Sequence, residues 1–193
     1  MDAHDFNPID AMINQDMQDF FSLLKKRQSV RRYTNTPVET SKLHLCLEAA
    51  RLAPSASNSQ PWTFVVANEP NLVKALGEAC RGPLGTFNRF VTQAPVIITI
   101  VLEKPKTITE LGGRIKSKDY PLIDIGIAAI QLCLQAEALG LGSCMIGWFD
   151  EPKVKQLLQI PESKSVGLII TLGYPPAGYP VREKVRKSFD AVV

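Results

Sequence analysis

The sequence predicts a mixed α/β domain in which helices pack around a central sheet. Three observations predict it. Helix-like and strand-like apolar periods alternate along the chain, and no tight hairpin signal joins consecutive strands. The run "PVIITIVL" at 95–102 is continuous and β-branched, the mark of a strand buried on both faces.

Residues 1–16 are polar and aperiodic, and are expected to form a flexible arm or an extension packed on a neighbour; 17–193 then form the single domain. From Met17, one face of a first helix carries Phe20, Leu23 and Leu24, with its end near Arg27. In a second helix Leu43, Cys46, Leu47 and Ala50 recur at i, i+3, i+4 and i+7, until Pro54 halts the stripe. The polar stretch "APSASNSQPW" (53–62) separates it from a strand at Thr63–Ala67, where a plain connection needs only about 2–6 residues. A third helix carries Leu72, Leu76 and Ala79 on one side, and Gly82 and Pro83 end it. A short helix is expected around Thr86–Thr92, then the strand at 95–102. The polar segment Lys104–Tyr120 has no clear pattern. Pro121 opens a helix reaching about Leu139, apolar almost all round, as suits a core or a subunit interface. "GLGSCMIGWF" reads as a Gly-punctuated loop or short strand, and "DEPKVKQLL" as a helix with Asp150 as N-cap. "SVGLIITLGYP" is another strong strand, and a tail rich in Pro and charge ends in "AVV".

Composition narrows the chemistry. The net charge of +3 and a pI near 8.7 fall short of the basic balance of about 9 or more that marks nucleic-acid domains. The four cysteines (Cys46, Cys80, Cys133, Cys144) form no C-x-x-C pair and read as free thiols in a reducing compartment. With only His4 and His44, a multi-histidine zinc site or a Ser-His-Asp triad would rest on His44 almost alone. The N-terminus carries acids where a signal peptide carries bases. The apolar stretch Leu122–Leu141 is interrupted by Asp124, Gln131, Gln135 and Glu137, against the roughly 20 mostly apolar residues of a membrane span. A soluble, cytoplasmic protein with no membrane, metal or nucleic-acid partner is expected.

Candidate binding groups lie in four segments. "RQSVRR" sets Arg27, Ser29 and Arg31 two apart, so an extended chain points them to one side as a clamp for an oxyanion. The same cations also suit the C-terminal end of a helix dipole. "REKVRK" repeats the spacing at Lys184 and Arg186, in what is otherwise a solvated tail. Ser55, Ser57, Asn58, Ser59 and Gln60 offer donors and acceptors for a polar heterocycle, or for a hydrogen-bonded turn. Gly140, Gly142 and Gly147 let backbone approach a planar ligand or pack tightly; they do not match the dinucleotide fingerprint.

Together these segments resemble the FMN-dependent nitroreductases, in the family's order and from about Phe20 to the C-terminus. "RQSVRRY" is similar to the R-x-S-x-R opening, "APSASNSQPW" to the P-S-x-x-N-x-Q-P-W loop, "GLGSCMIGWF" to the glycine-rich segment beside the flavin, and "REKVRKSFDAVV" to the basic C-terminal signature. The resemblance implies an α+β fold with a central mixed β-sheet surrounded by helices, assembled as an intertwined homodimer with flavin sites at the interface. It implies that Arg27, Gln28, Ser29 and Arg31 hold the FMN phosphate, ribityl chain and pyrimidine edge, with Lys184 and Arg186 completing the phosphate site. Pro54, Ser55, Ala56 and Asn58 would meet the flavin from the partner subunit. The backbone of Met145, Ile146 and Gly147 would lie against the ring, with the Gly147 N–H near N5. The implied activity is ping-pong transfer from NADH or NADPH to an organic small-molecule acceptor such as a nitroaromatic or quinone, with the flavin and no catalytic side chain carrying the chemistry. A non-enzymatic flavin carrier or redox-responsive regulator on the same fold is the alternative. The chain departs from the pattern in three places: Trp148 stands where many relatives have Gly, either walling the pocket or packing in the core, residues 104–120 leave little room for a helical lid, and the N-terminal arm has no counterpart in the family.

Overall fold

The computed structural model describes residues 15–82, 85, 87–104 and 118–193. The arm through residue 14, and 105–117 of the segment 104–120 expected to leave little room for a lid, lie outside the described residues. Among the described residues, five helices and four strands follow in the order α1 (Gln15–Lys26), α2 (Thr40–Arg51), β1 (Trp62–Ala67), α3 (Pro70–Ala79), β2 (Val96–Leu102), α4 (Tyr120–Ala138), β3 (Gly142–Ile146), α5 (Glu151–Leu158) and β4 (Ser165–Gly173). The first helix starts two residues before the expected Met17, and a 3-10 turn at Arg89–Gln93 stands in place of the expected short helix. Asp150 caps α5 as expected, accepting the Lys153 N–H at 3.1 Å.

The strands form one sheet in the order β1-β2-β4-β3. Their ladders are antiparallel, and a parallel bridge joins Ser29 to Ser143 outside the named strands. β2 is central and buried on both sides, as its β-branched run predicts. Alternation along the strand sorts its side chains into two cores. Val96, Ile98 and Ile100 pack with Leu43, Cys46 and Ala50 of α2 and with Ile125, Ala129 and Leu132 of α4. Ile97 and Val101 face the other way, onto Val73 and Leu76 of α3 and Val154 of α5. The result is an α/β/α sandwich.

α4 explains its own composition. By length and apolarity alone it is long enough to cross a membrane, yet it packs against α2 and the sheet. All four cysteines are buried free thiols, and burial pushes the Cys46 and Cys80 thiols up to about 12. Such thiols stay protonated and act as small apolar side chains.

Candidate functional site

The site begins where the chain leaves α1. Residues 27–34 run extended beside β3: the Val30 N–H donates to the Ser143 carbonyl at 2.9 Å, and the Thr34 N–H to the Tyr174 carbonyl at 2.9 Å. Val30 and Tyr33 turn inward, and the Tyr33 hydroxyl bonds Thr171 and the Val30 carbonyl. Gly142 makes this approach possible. A Cβ there would sit 2.7 Å from the Val30 side chain.

The tail then folds back over the same segment. Gln28 donates to the Pro180 carbonyl and accepts from Arg182, while Tyr179 accepts the Arg31 N–H. Arg182 donates to the Ser29 carbonyl and Lys184 to the Arg27 carbonyl, each at 2.5 Å. Between the two segments lies a cavity of about 260 Å³. Arg27, Gln28, Ser29 and Arg31 form one wall, and Arg182, Glu183, Lys184 and Arg186 the other.

Five cations and one acid line that cavity, so the cations repel one another. Desolvation, then the Arg27 and Arg186 guanidiniums, hold the Lys184 ammonium below the usual lysine range. Glu137, near the end of α4, partly offsets this. Its own carboxyl is pushed up by burial and drawn back by Arg27, Lys184 and Lys26. Arginine forks with a lysine between them are the donor set that suits a phosphate. Arg182 escaped the sequence reading, although "REKVRK" places it at the same two-residue spacing as Lys184 and Arg186.

From Ser143, β3 leads out of the cradle through Met145 and Ile146 to Gly147, about 13 Å at roughly 3.3 Å per residue. Gly147 faces open space: an added Cβ there would meet no atom within 4 Å. Trp148 follows it, 61% exposed, and so does not pack in the core.

The polar loop does not line the cradle. It folds as a 3-10 turn at Ala56–Asn58. Ser57, Asn58 and Gln60 all adopt left-handed backbone (φ 52°, 49° and 47°), a strained state for side-chain-bearing residues. Several of its polar groups shape the turn itself: Ser55 Oγ accepts the Gln60 N–H at 2.9 Å, and the Gln60 amide donates to Asn58 Oδ1 at 3.0 Å. Pro54, Ser57, Asn58 and Gln60 remain exposed, with Ser55 and Ala56 half-buried. Both carboxylate oxygens of Asp124 accept the Ala56 N–H at 3.2 Å. Asp124 is 3% exposed on an apolar helix, a role that the sequence pattern showed only as an interruption.

Asp124 holds the loop near the start of α4, while Glu137 faces the cradle near its end. Thirteen residues of helix separate the two, about 20 Å. The expected site residues therefore fall into two groups: cradle and β3 together, and the loop apart. His44 is exposed on α2. Among the described residues, no group of three His, Cys, Asp or Glu side chains is placed to hold a metal ion.

The Nitroreductase family model matches residues 24–86 and 83–174. An NADH dehydrogenase of Thermus thermophilus is 32% identical, over 80% of this chain and 86% of its own. Two solved structures share the architecture. A nitroreductase family protein of Clostridium novyi has a TM-score of 0.73 and 30% identity, over 82% of this chain and 86% of its own. An FMN-dependent nitroreductase of Clostridium difficile has a TM-score of 0.69 and 30% identity, over 89% and 93%. The matched residues carry the sheet, its helices and the first wall of the cradle, and on this ground the chain belongs to the nitroreductase family.

Proposed function

We propose that residues 17–193 form one FMN-binding domain and that the cationic cradle is its phosphate site. The observation that carries this reading is the crowding of five cations around one small cavity, which together with desolvation holds the Lys184 ammonium below the usual lysine range. A bound dianion relieves that repulsion. Arg27, Ser29, Arg31, Arg182, Lys184 and Arg186 hold the phosphate and ribityl end, with Gln28 pinning the tail in place. Met145, Ile146 and Gly147 present backbone to the ring, and the open face of Gly147 leaves its N–H accessible for N5.

The protein is an FMN-dependent NAD(P)H oxidoreductase. When bound, FMN supplies two-electron transfer at N5, from NADH or NADPH and then to a nitroaromatic, quinone or similar organic acceptor, in ping-pong order. The side chains orient and neutralise. Arg31 and the tail cations hold negative charge near the cofactor, and no side chain is assigned as an essential acid or base.

The second half of the site comes from a second copy. The loop at Pro54, Ser55, Ala56 and Asn58 lies about 20 Å along α4 from its own cradle, so a homodimer brings a partner's loop to each flavin. Exposed apolar side chains on α1 (Met17, Phe20, Phe21, Leu24) and in the tail (Val185, Phe189, Val192) supply surface for that contact. Buried, unpaired thiols suit a cytoplasmic location. Measuring FMN affinity in Arg31→Ala and Lys184→Ala tests the phosphate site: both variants are expected to release FMN, and unchanged affinity in both refutes the assignment.

A further inference from the structure

Lys42, Lys155 and Lys164 each pair with a carboxylate: Glu39 at 3.4 Å, Glu151 at 3.4 Å and Glu103 at 2.6 Å. Lys184 instead donates to a neutral carbonyl, that of Arg27, which holds its nitrogen between the two walls of the cradle. Arg27 and Arg31 stand on one wall, Arg182 and Arg186 on the other, with Glu183 in the lining and Glu137 of α4 as the opposing charge. Desolvation and the guanidiniums of Arg27 and Arg186 hold the Lys184 ammonium below the usual lysine range. The Tyr174 hydroxyl and Glu39 hold Lys42 above it. A lysine crowded by other cations carries more free amine near neutral pH, and the free amine is a nucleophile.

The guanidiniums that crowd Lys184 are also the groups that grip phosphate oxygens through paired N–H donors. A molecule with a phosphate at one end and an electrophilic carbon at the other therefore docks with that carbon beside the Lys184 nitrogen. Holding the two reactants together in this way is itself a large part of the rate. An acyl phosphate has this form. The cavity, at about 260 Å³, falls just short of the roughly 300 Å³ at which drug-sized sites begin, so the acyl group it admits is a short one.

We propose that, when no FMN is bound, the cradle takes a short acyl phosphate and that Lys184 is acylated by it. The amine lone pair forms a bond to the acyl carbon, and the bond from that carbon to the bridging phosphate oxygen breaks. Inorganic phosphate leaves with the electron pair, its charge met by the guanidiniums, and the proton released from nitrogen goes to solvent. A neutral amide then stands where an ammonium stood. The cradle keeps four of its five cations and holds FMN less tightly, while bound FMN covers Lys184 and protects it. The proposal rests on the reading of the cradle as a phosphate site and adds regulation to it: flavin loading and acylation exclude one another.

The test uses the full-length protein, flavin-free and alternatively saturated with FMN, incubated with acetyl phosphate, with acetylation at each lysine read by peptide mass spectrometry. In the flavin-free protein Lys184 is expected to react at least tenfold faster than Lys42 and Lys187, and FMN is expected to slow it at least tenfold. With the N-hydroxysuccinimide ester of acetic acid, which has no phosphate for the arginines to grip, the preference for Lys184 is expected to fall at least threefold. Protein acetylated at Lys184 is expected to bind FMN roughly ten- to a hundredfold more weakly, the effect of losing one charged hydrogen bond. A Lys184 that reacts no faster than Lys187, or that is preferred equally with both reagents, overturns the proposal, and FMN uptake by the same sample shows that the function proposed above still stands. Selective acetylation of Lys184 by acetyl phosphate in a protein that takes up no FMN overturns that function instead, so the two failures are distinguishable.

Discussion

At the scale of single residues, the cradle works through charge. A hydrogen bond to a charged group contributes about 1.5–3 kcal/mol net, roughly ten- to a hundredfold in affinity. Arg182→Ala removes the bonds to the Ser29 carbonyl and to Gln28 together with one cation, and is expected to weaken FMN binding by that factor, as read from recovery of free-flavin fluorescence. Lys184 adds a pH dependence. Its folded value lies below the usual lysine range of about 10.4, so between the two values the unfolded chain binds the extra proton, and the ligand-free fold gains stability as pH rises through that window. Anion binding runs the other way: affinity for FMN falls as pH rises through the same window, because the ammonium is lost. An FMN titration series from pH 7 to 10 reads this directly, and Lys184→Arg is expected to flatten it. The sequence showed these cations as spaced pairs, but it did not show that they share a cavity, because Lys184 lies 157 residues from the carbonyl that receives it.

At the scale of elements, two contacts position the site. Gly142 lets residues 27–34 lie against β3, and a methyl group there collides with all three side-chain carbons of Val30 at 2.7–2.8 Å. Gly142→Ala is expected to cost about 1–3 kcal/mol of stability, seen in thermal or denaturant unfolding, and to weaken FMN binding as Ser29 shifts. Asp124 is the second. Burial holds its carboxyl above the ordinary carboxylate range, partly offset by the Ala56 N–H. Between the ordinary value of about 3.9 and the raised one the folded chain binds the extra proton, so this group's contribution to stability falls as pH rises through that interval. Asp124→Asn keeps an acceptor for Ala56 and removes the buried charge. Its melting temperature is expected to equal or exceed the wild type's at pH 7, with the gap closing below about pH 4. The helices and strands themselves were legible, because Leu43, Cys46 and Ala50 or the unbroken 95–102 run declare their period locally. The inward role of Asp124 was not, since the N–H it binds belongs to a loop 68 residues away.

At the scale of the whole molecule, the proposed flavin site is completed by a second copy of the chain. Phe20 is 54% exposed and Leu24 38%, on a helix whose apolar face has too little of its own chain to cover it. Replacing both with Asp is expected to convert a dimer to a monomer in sedimentation velocity and to strip FMN at the same time, because each loop at 54–58 would lose its partner's cradle. Both cores follow from local patterns in the sequence, but the strand order β1-β2-β4-β3 does not, because it is set by pairing between segments far apart in the chain. The separation of loop and cradle was not legible either, because nothing in the sequence pairs Asp124 with the Ala56 N–H or Glu137 with Arg27 and Lys184. Whether this fold works as an FMN enzyme is read from the visible absorption spectrum of the freshly purified protein, followed by anaerobic addition of NADH and NADPH. The expected result is a flavin spectrum that bleaches with at least one nucleotide and returns when an organic acceptor is added. A flavin spectrum indifferent to both nucleotides would contradict the enzyme and favour a carrier or regulator, and a colourless protein that takes up no FMN would contradict the cradle itself.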